Sequence, residues 1–151
     1  GAEYGFYIEK NEGPMDDRWD WPRFLAALED DAELRRGVES AMRRLALHWT
    51  VYVWDDGGLI AHVKASPAGF VWAREDGDDA DHIEWSGFAQ RLRAIDVEKW
   101  CDLYLCAWLS KEDAIAAGLE IVEPVTEVYQ ALLPLYEAST PRATSADRDR
   151  D

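Results

Sequence analysis

The sequence predicts an α+β fold, an antiparallel sheet of about four strands with helices packed on it and a separate N-terminal segment ahead of it. Three observations carry that expectation. The run "WTVYVWDDGGLIAHVKA" is β-rich on both sides of Asp55-Asp56-Gly57-Gly58, where the glycines can take positive φ and close a hairpin. The run before it, "DAELRRGVESAMRRLALHW", repeats its apolar residues at helical spacing instead. Later, "DLYLCAWL" returns to strand character after an intervening helical stretch.

In chain order, "AEYGFYIE" over residues 2–9 alternates loosely and is rich in aromatic and β-branched types, a short-strand pattern that Gly5 interrupts. "KNEGPMDDR" carries a Gly-Pro turn signal. In "DWPRFLAALEDD", Asp20 can cap a helix with Pro22 near its first position and Phe24, Leu25 and Leu28 as its apolar stripe. A second helix follows, with Leu34, Val38, Ala41, Leu45 and Trp49 on one face and Arg35, Arg36, Arg43 and Arg44 largely on the other. After the hairpin, "SPAG" is punctuation and "FVWARE" a third strand of the same meander. "DGDDADHIE" reads as an acidic loop.

"EWSGFAQRLRAI" then sets Trp85, Phe88, Leu92 and Ile95 on one helical face, and "DLYLCAWL" adds a strand. Ser110 followed by Asp113 is a short-acid variant of the capping box, and Gly118 is a stop. Pro124 can open a last helix through "VTEVYQALL", which Pro134 should end or kink by removing a backbone donor. "STPRATSADRDRD" lacks apolar periodicity and reads as a disordered tail. The expected division is residues 1–21 as the N-terminal segment, 22–138 as an acidic α+β domain and 139–151 as the tail.

At 151 residues, with a hydrophobic fraction of 48% and eight tryptophans, one core is affordable to this chain as a single domain. No run approaches the roughly 20 apolar residues of a membrane-spanning helix. The 16 basic and 31 acidic residues leave a net charge of -15, which repels phosphate backbones and anionic lipid, so neither nucleic acid nor a membrane is an expected partner. A basic protein partner, polyanion mimicry and simple solubility all remain compatible with that charge.

Candidate chemistry is sparse. Cys101 and Cys106 are separated by an odd interval, which in a strand puts them on opposite faces and forbids a disulfide. Unpaired thiols favour a reducing compartment such as the cytoplasm, while a processed chain would be compatible with secretion. The acidic stretch Asp76, Asp78, Asp79, Asp81, His82 and Glu84 fails the calcium-loop template, since Asp81 stands where glycine makes the turn and Gly87 where a bidentate glutamate is required. His48, His62 and His82 form no zinc-binding pair, and neither a nucleophile elbow nor a phosphate-cradling loop is present. No enzyme activity, cofactor or metal is expected. Trp54, Trp72, Trp85, Trp100 and Trp108 are expected in the core, whereas Trp19 and Trp21, ahead of the first helix, are candidate interface anchors or plugs.

The opening stretch has a resemblance of its own. Gly1, an acid at Glu9, a polar turn-forming stretch and then the bulky Arg18, Trp19 and Trp21 resemble the core of a lasso peptide, a ribosomal natural product. The resemblance covers only the first twenty or so residues, and the family's members end soon after the plug, whereas most of this chain follows it. It implies an isopeptide bond from the Gly1 amine to the Glu9 carboxylate, a macrolactam threaded near Arg18, Trp19 and Trp21, and dedicated maturation enzymes, because amide formation in water needs activation. The alternatives are a proteolytic remnant ahead of an ordinary edge strand, or a start at Met15 after a Gly-Pro remnant.

Two functional expectations follow. The first is a lasso-peptide-like product fused to a non-catalytic acidic domain. The second is an acidic immunity or inhibitor-type protein that neutralises a basic toxin or enzyme. If residues 2–9 are a self-contained ring or leader, deleting residues 1–14 should leave the domain's melting temperature almost unchanged.

Overall fold

The first two helices are opened by the same device. In a computed structural model that describes residues 2–10, 19–54, 58–67, 69–75, 77, 80–95 and 99–141, the Asp20 carboxylate accepts the backbone N–H of Arg23 at 3.0 Å. Asp31 does the same for Leu34, also at 3.0 Å. These caps satisfy donors that a helix start otherwise leaves orphaned, and they set the starts of α1 (Trp21–Asp30) and α2 (Ala32–Leu45). Phe24, Leu25 and Leu28 of α1 and Leu34, Val38 and Ala41 of α2 are buried, as their spacing predicts. Trp49 is not part of that helical stripe. Ala46 adopts a left-handed conformation (φ 53), α2 stops, and Trp49 enters the core from a strand.

Among the described residues six strands form one sheet: β1 (Ala2–Lys10), β2 (His48–Val53), β3 (Gly58–Ser66), β4 (Gly69–Arg74), β5 (Ala80–Ile83) and β6 (Cys101–Leu109). Their order across the sheet is β1-β6-β2-β3-β4-β5, and every neighbouring pair is antiparallel. The α+β class and antiparallel sheet match the sequence expectation, but two more strands are present than the four expected. β5 comes from the stretch read as an acidic loop, where Phe70 pairs with Ile83 and Trp72 with Asp81. Of that stretch, Asp76, Asp78 and Asp79 lie outside the described residues.

The other addition is β1, and it corrects the idea of a separate N-terminal segment. Residues 2–10 pair along their whole length with β6, from Ala2 opposite Leu109 to Lys10 opposite Cys101. Phe6 and Ile8 are fully buried. The Phe6 ring lies 5.7 Å from Phe24, 6.3 Å from Trp49 and 5.0 Å from Tyr136, so the first strand closes the core that α1 and the last helix build. Gly5 was the apparent breaker, but it marks a close approach of two backbones. A Cβ there would stand 2.2 Å from the Leu105 carbonyl oxygen.

The remaining helices are α3 (Trp85–Arg93), α4 (Lys111–Ala117) and α5 (Val122–Ser139), with a 3-10 turn at Gly118–Ile121 between the last two. Ser110 caps α4 by accepting the Asp113 N–H at 3.0 Å. Pro134 does not end α5, which continues to Ser139, one residue into the stretch assigned to the tail. Pro134 removes one helical donor, but buried Leu132 and Leu135 on either side hold the turn against the core. At its end the Ser139 carbonyl accepts the Asp20 N–H at 2.8 Å, which fastens α5 to the start of α1. Residues 142–151 lie outside the described residues, as do Gly1 and Arg18. Among the described residues no helix is long and apolar enough to cross a membrane.

Candidate functional site on the helix-free sheet face

Strand alternation sorts the sheet's side chains into two sets. One contains Phe6, Ile8, Trp49, Val51, Val63, Phe70, Leu103 and Leu105, all in the core under α1, α2, α3 and α5. The other contains Glu3, Tyr7 and Glu9 of β1, Asp102, Tyr104, Cys106 and Trp108 of β6, His48, Thr50 and Tyr52 of β2, and His62 and Lys64 of β3. Among the described residues no helix packs on this second face. Cys101 and Cys106 fall on opposite sides, both free and buried, as their odd spacing predicts. Burial above all holds both thiols protonated by pushing them up to about 12, so neither supplies a thiolate at neutral pH.

One corner of this face is organised by a single carboxylate. Asp102 is only 5% exposed. Its Oδ2 accepts the Trp54 indole N–H at 2.8 Å, and its Oδ1 accepts the Trp100 indole N–H at 3.1 Å. The Tyr7 hydroxyl, 3.4 Å from Oδ1, donates its stronger bond to Glu9 Oε2 at 2.8 Å. Burial, that hydrogen bond and the two neighbouring carboxylates drive the Tyr7 phenol far above its ordinary value, so it stays a donor. A backbone bond from Trp54 N–H to the Trp100 carbonyl at 3.2 Å ties the two indole-bearing residues together.

Rings extend this corner across the sheet. Tyr52 stacks on Trp54 with centroids 5.8 Å apart and planes at 19°, Tyr52 meets Tyr104 edge-on at 5.6 Å, and Tyr104 lies 4.8 Å from Tyr7. The pairing between β2 and β3 shifts register between Val51 and Tyr52, a bulge at the base of the cluster. Bulges raise local twist and re-aim side chains, and this one sits where the strand delivers Tyr52 and Trp54. Further along, His48 and His62 face each other at 5.7 Å. Burial, then His62 and Lys64, hold His48 below the usual histidine value against the opposing pull of Glu3, so it adds little positive charge at neutral pH.

Three of the five tryptophans expected in the core lie at the surface instead. Trp54, Trp100 and Trp108, expected in the core, are 55%, 44% and 60% exposed. Trp72 is buried, and Trp85 is partly buried against Phe70 at 4.7 Å. Trp19 and Trp21, read as anchors or plugs, pack against the core's margin: Trp19 meets Tyr7 edge-on at 5.8 Å, and Trp21 lies 5.7 Å from Phe24. For Trp54 the sequence holds a partial signal, usable once the covered face is known. With Trp49, Val51 and Val53 committed to the core, a period of two sends His48, Thr50 and Tyr52 to the other side, and Trp54 continues that parity.

Glu9 lies within β1, opposite Asp102. The extended run from Ala2 to Glu9 places its ends on the order of 20 Å apart, which is not the conformation of a nine-residue ring. A macrolactam through Glu9 requires β1 to leave the sheet.

A surface depression of about 730 Å³ lies on the helix side beside α3, away from the aromatic corner. Several of its charged side chains are engaged: Arg93 bonds Glu29, Arg35 donates to the Leu28 carbonyl at 3.2 Å, and Glu39 accepts the Trp85 indole N–H at 3.1 Å. Among the described residues no group of three or more histidine, cysteine and acidic side chains is arranged to hold a metal ion. Compared with known proteins, the chain matches no family model, no curated protein and no solved structure.

Proposed function

We propose that this chain is an acidic binding protein of the immunity or inhibitor type, which captures a basic protein partner on the helix-free face of its sheet. The observation that carries this reading is the aromatic corner built on Asp102. Large rings are exposed there, yet each indole N–H is already committed to a buried carboxylate, so the outward surface is apolar and set in a negative field. Aromatic residues ringed by charge are what partner-binding surfaces concentrate. The net charge of -15 supplies the long-range attraction for a cationic partner.

Steering of this kind raises association toward roughly 10⁸–10⁹ M⁻¹s⁻¹ and weakens steeply with salt. The test is capture at low ionic strength followed by hydroxyl-radical footprinting of the complex. A basic partner that elutes as salt rises and protects Trp54, Trp100 and Trp108 from oxidation supports the reading. Partners without positive charge, or protection confined to the helix side, would sink it.

A further inference from the structure

We infer that Trp54 and Trp100, held by Asp102, form a receptor for an arginine side chain of the basic partner. This inference rests on the binding reading above and adds the chemistry of its anchor. Both indoles spend their one polar atom on the same carboxylate, so what they present to solvent is ring. The face of an indole carries negative charge density and attracts a cation. Asp102 lies at the N–H edge of both rings, and a carboxylate so near deepens that attraction.

Asp102 does not receive the cation directly, because its oxygens already accept from Trp54 and Trp100 and lie near the Tyr7 hydroxyl. The incoming charge is therefore held over rings rather than in a salt bridge. This selects arginine over lysine. A guanidinium is planar and weakly hydrated and stacks on an aromatic face, whereas an ammonium is a compact, strongly hydrated charge that needs acceptor oxygens in return for its water. The chain already uses the same contact internally: the Arg91 guanidinium lies 5.0 Å over the Trp72 ring. Pre-organisation favours binding further, since Tyr52 stacked on Trp54 and the shared carboxylate fix the rings before any partner arrives.

The experiment compares octa-arginine with octa-lysine as ligands for the full chain at low ionic strength, by calorimetry and tryptophan fluorescence. General attraction to an acidic protein serves both peptides alike. The receptor adds a preference for octa-arginine of about fivefold or more. Trp54→Ala and Trp100→Ala should each abolish that preference, whereas Tyr129→Ala, which removes an exposed ring on α5, should keep it. Trp54→Phe, which retains a ring, guards against a merely structural loss, and a thermal melt of each variant confirms folding. Equal binding of the two peptides, or a preference that survives in both alanine variants, overturns the inference and leaves the binding reading intact. Failure of both peptides to bind the unaltered chain overturns the reading as well.

Discussion

Tyr136 on α5 donates a hydrogen bond to the carbonyl of Gly5 on β1 at 2.6 Å, joining the last helix to the first strand. The contact occupies a backbone acceptor on an edge strand, the kind of group that otherwise invites pairing with a second chain. It also places the Tyr136 ring on Phe6, so the chain's two ends share one core.

Deleting residues 1–14 is expected to unfold the domain. Phe6 and Ile8 contribute roughly 1.5–3 kcal/mol each by burial, and the ladder to β6 goes with them, against a typical total stability of about 5–15 kcal/mol. Circular dichroism of the truncated chain is the measurement. A melting temperature within a few degrees of the full chain's would refute the role given to β1 and restore the sequence-based expectation of a dispensable segment.

Two glycines should respond in opposite directions. Gly5→Ala meets the Leu105 carbonyl oxygen at 2.2 Å, at φ +152 where side chains are strained, so a loss of about 2 kcal/mol or more is expected. Gly37, inside α2, has no atom within 4 Å of a built Cβ, so Gly37→Ala should stabilise by about 0.5–1 kcal/mol. Urea midpoints of the two variants check both signs. A neutral Gly5→Ala would mean that β1 and β6 approach less closely than described.

Asp102→Asn keeps the shape of the side chain but replaces one acceptor oxygen with a donor. One of the two indole N–H groups then faces an N–H, and a cost of about 1.5–3 kcal/mol is expected for a lost bond to a charged acceptor. Hydrogen exchange at the indole nitrogens reports this directly. In the unaltered chain the Trp54 and Trp100 N–H groups should be protected, and in Asp102→Asn at least one should exchange freely. Unprotected indoles in the unaltered chain would remove the basis of the aromatic corner.

Stability should fall on the alkaline side. Cys101 and Cys106 rise from an ordinary 9.0 to about 12 in the folded chain, chiefly through burial. Tyr136 rises to about 12 for the same principal reason. Between 9 and 12 the unfolded chain gives up protons that the folded chain keeps, so the stabilisation is complete below pH 9 and is lost as pH rises toward 12. Urea midpoints measured across that range should decline, and a Cys101→Ala, Cys106→Ala double variant should decline less, with the tyrosines that burial also raises, Tyr7 and Tyr136 among them, supplying the remainder. Equal slopes for both chains would count against buried, protonated thiols.

A chain with β1 in the sheet should carry no covalent link between Gly1 and Glu9. Intact-mass measurement tests this. A deficit of one water, mapped to Gly1 and Glu9, would establish the macrolactam and require β1 to leave the sheet.

Local physics was legible in the residues themselves. The aspartate and serine caps, the helical stripes of α1 and α2, the antiparallel pairing of β2 with β3 and the opposite faces of Cys101 and Cys106 depend on neighbours a few positions away. Periodicity and capping report those directly. Tertiary structure decided the questions that depend on distant partners. Gly5 is a strand residue because the β6 backbone passes too close for a side chain, and nothing near it in sequence announces that approach. Trp54 and Trp100 are exposed because the helices cover only one face of the sheet, and alternation alone separates two faces without naming the covered one. Their indole N–H groups converge because β2 and the start of β6 are brought side by side around Asp102. Burial of the opposite face, with Phe6, Trp49 and Leu105 against Phe24 and Tyr136, made that choice, since only one side of the sheet carries enough apolar surface to pack against the helices.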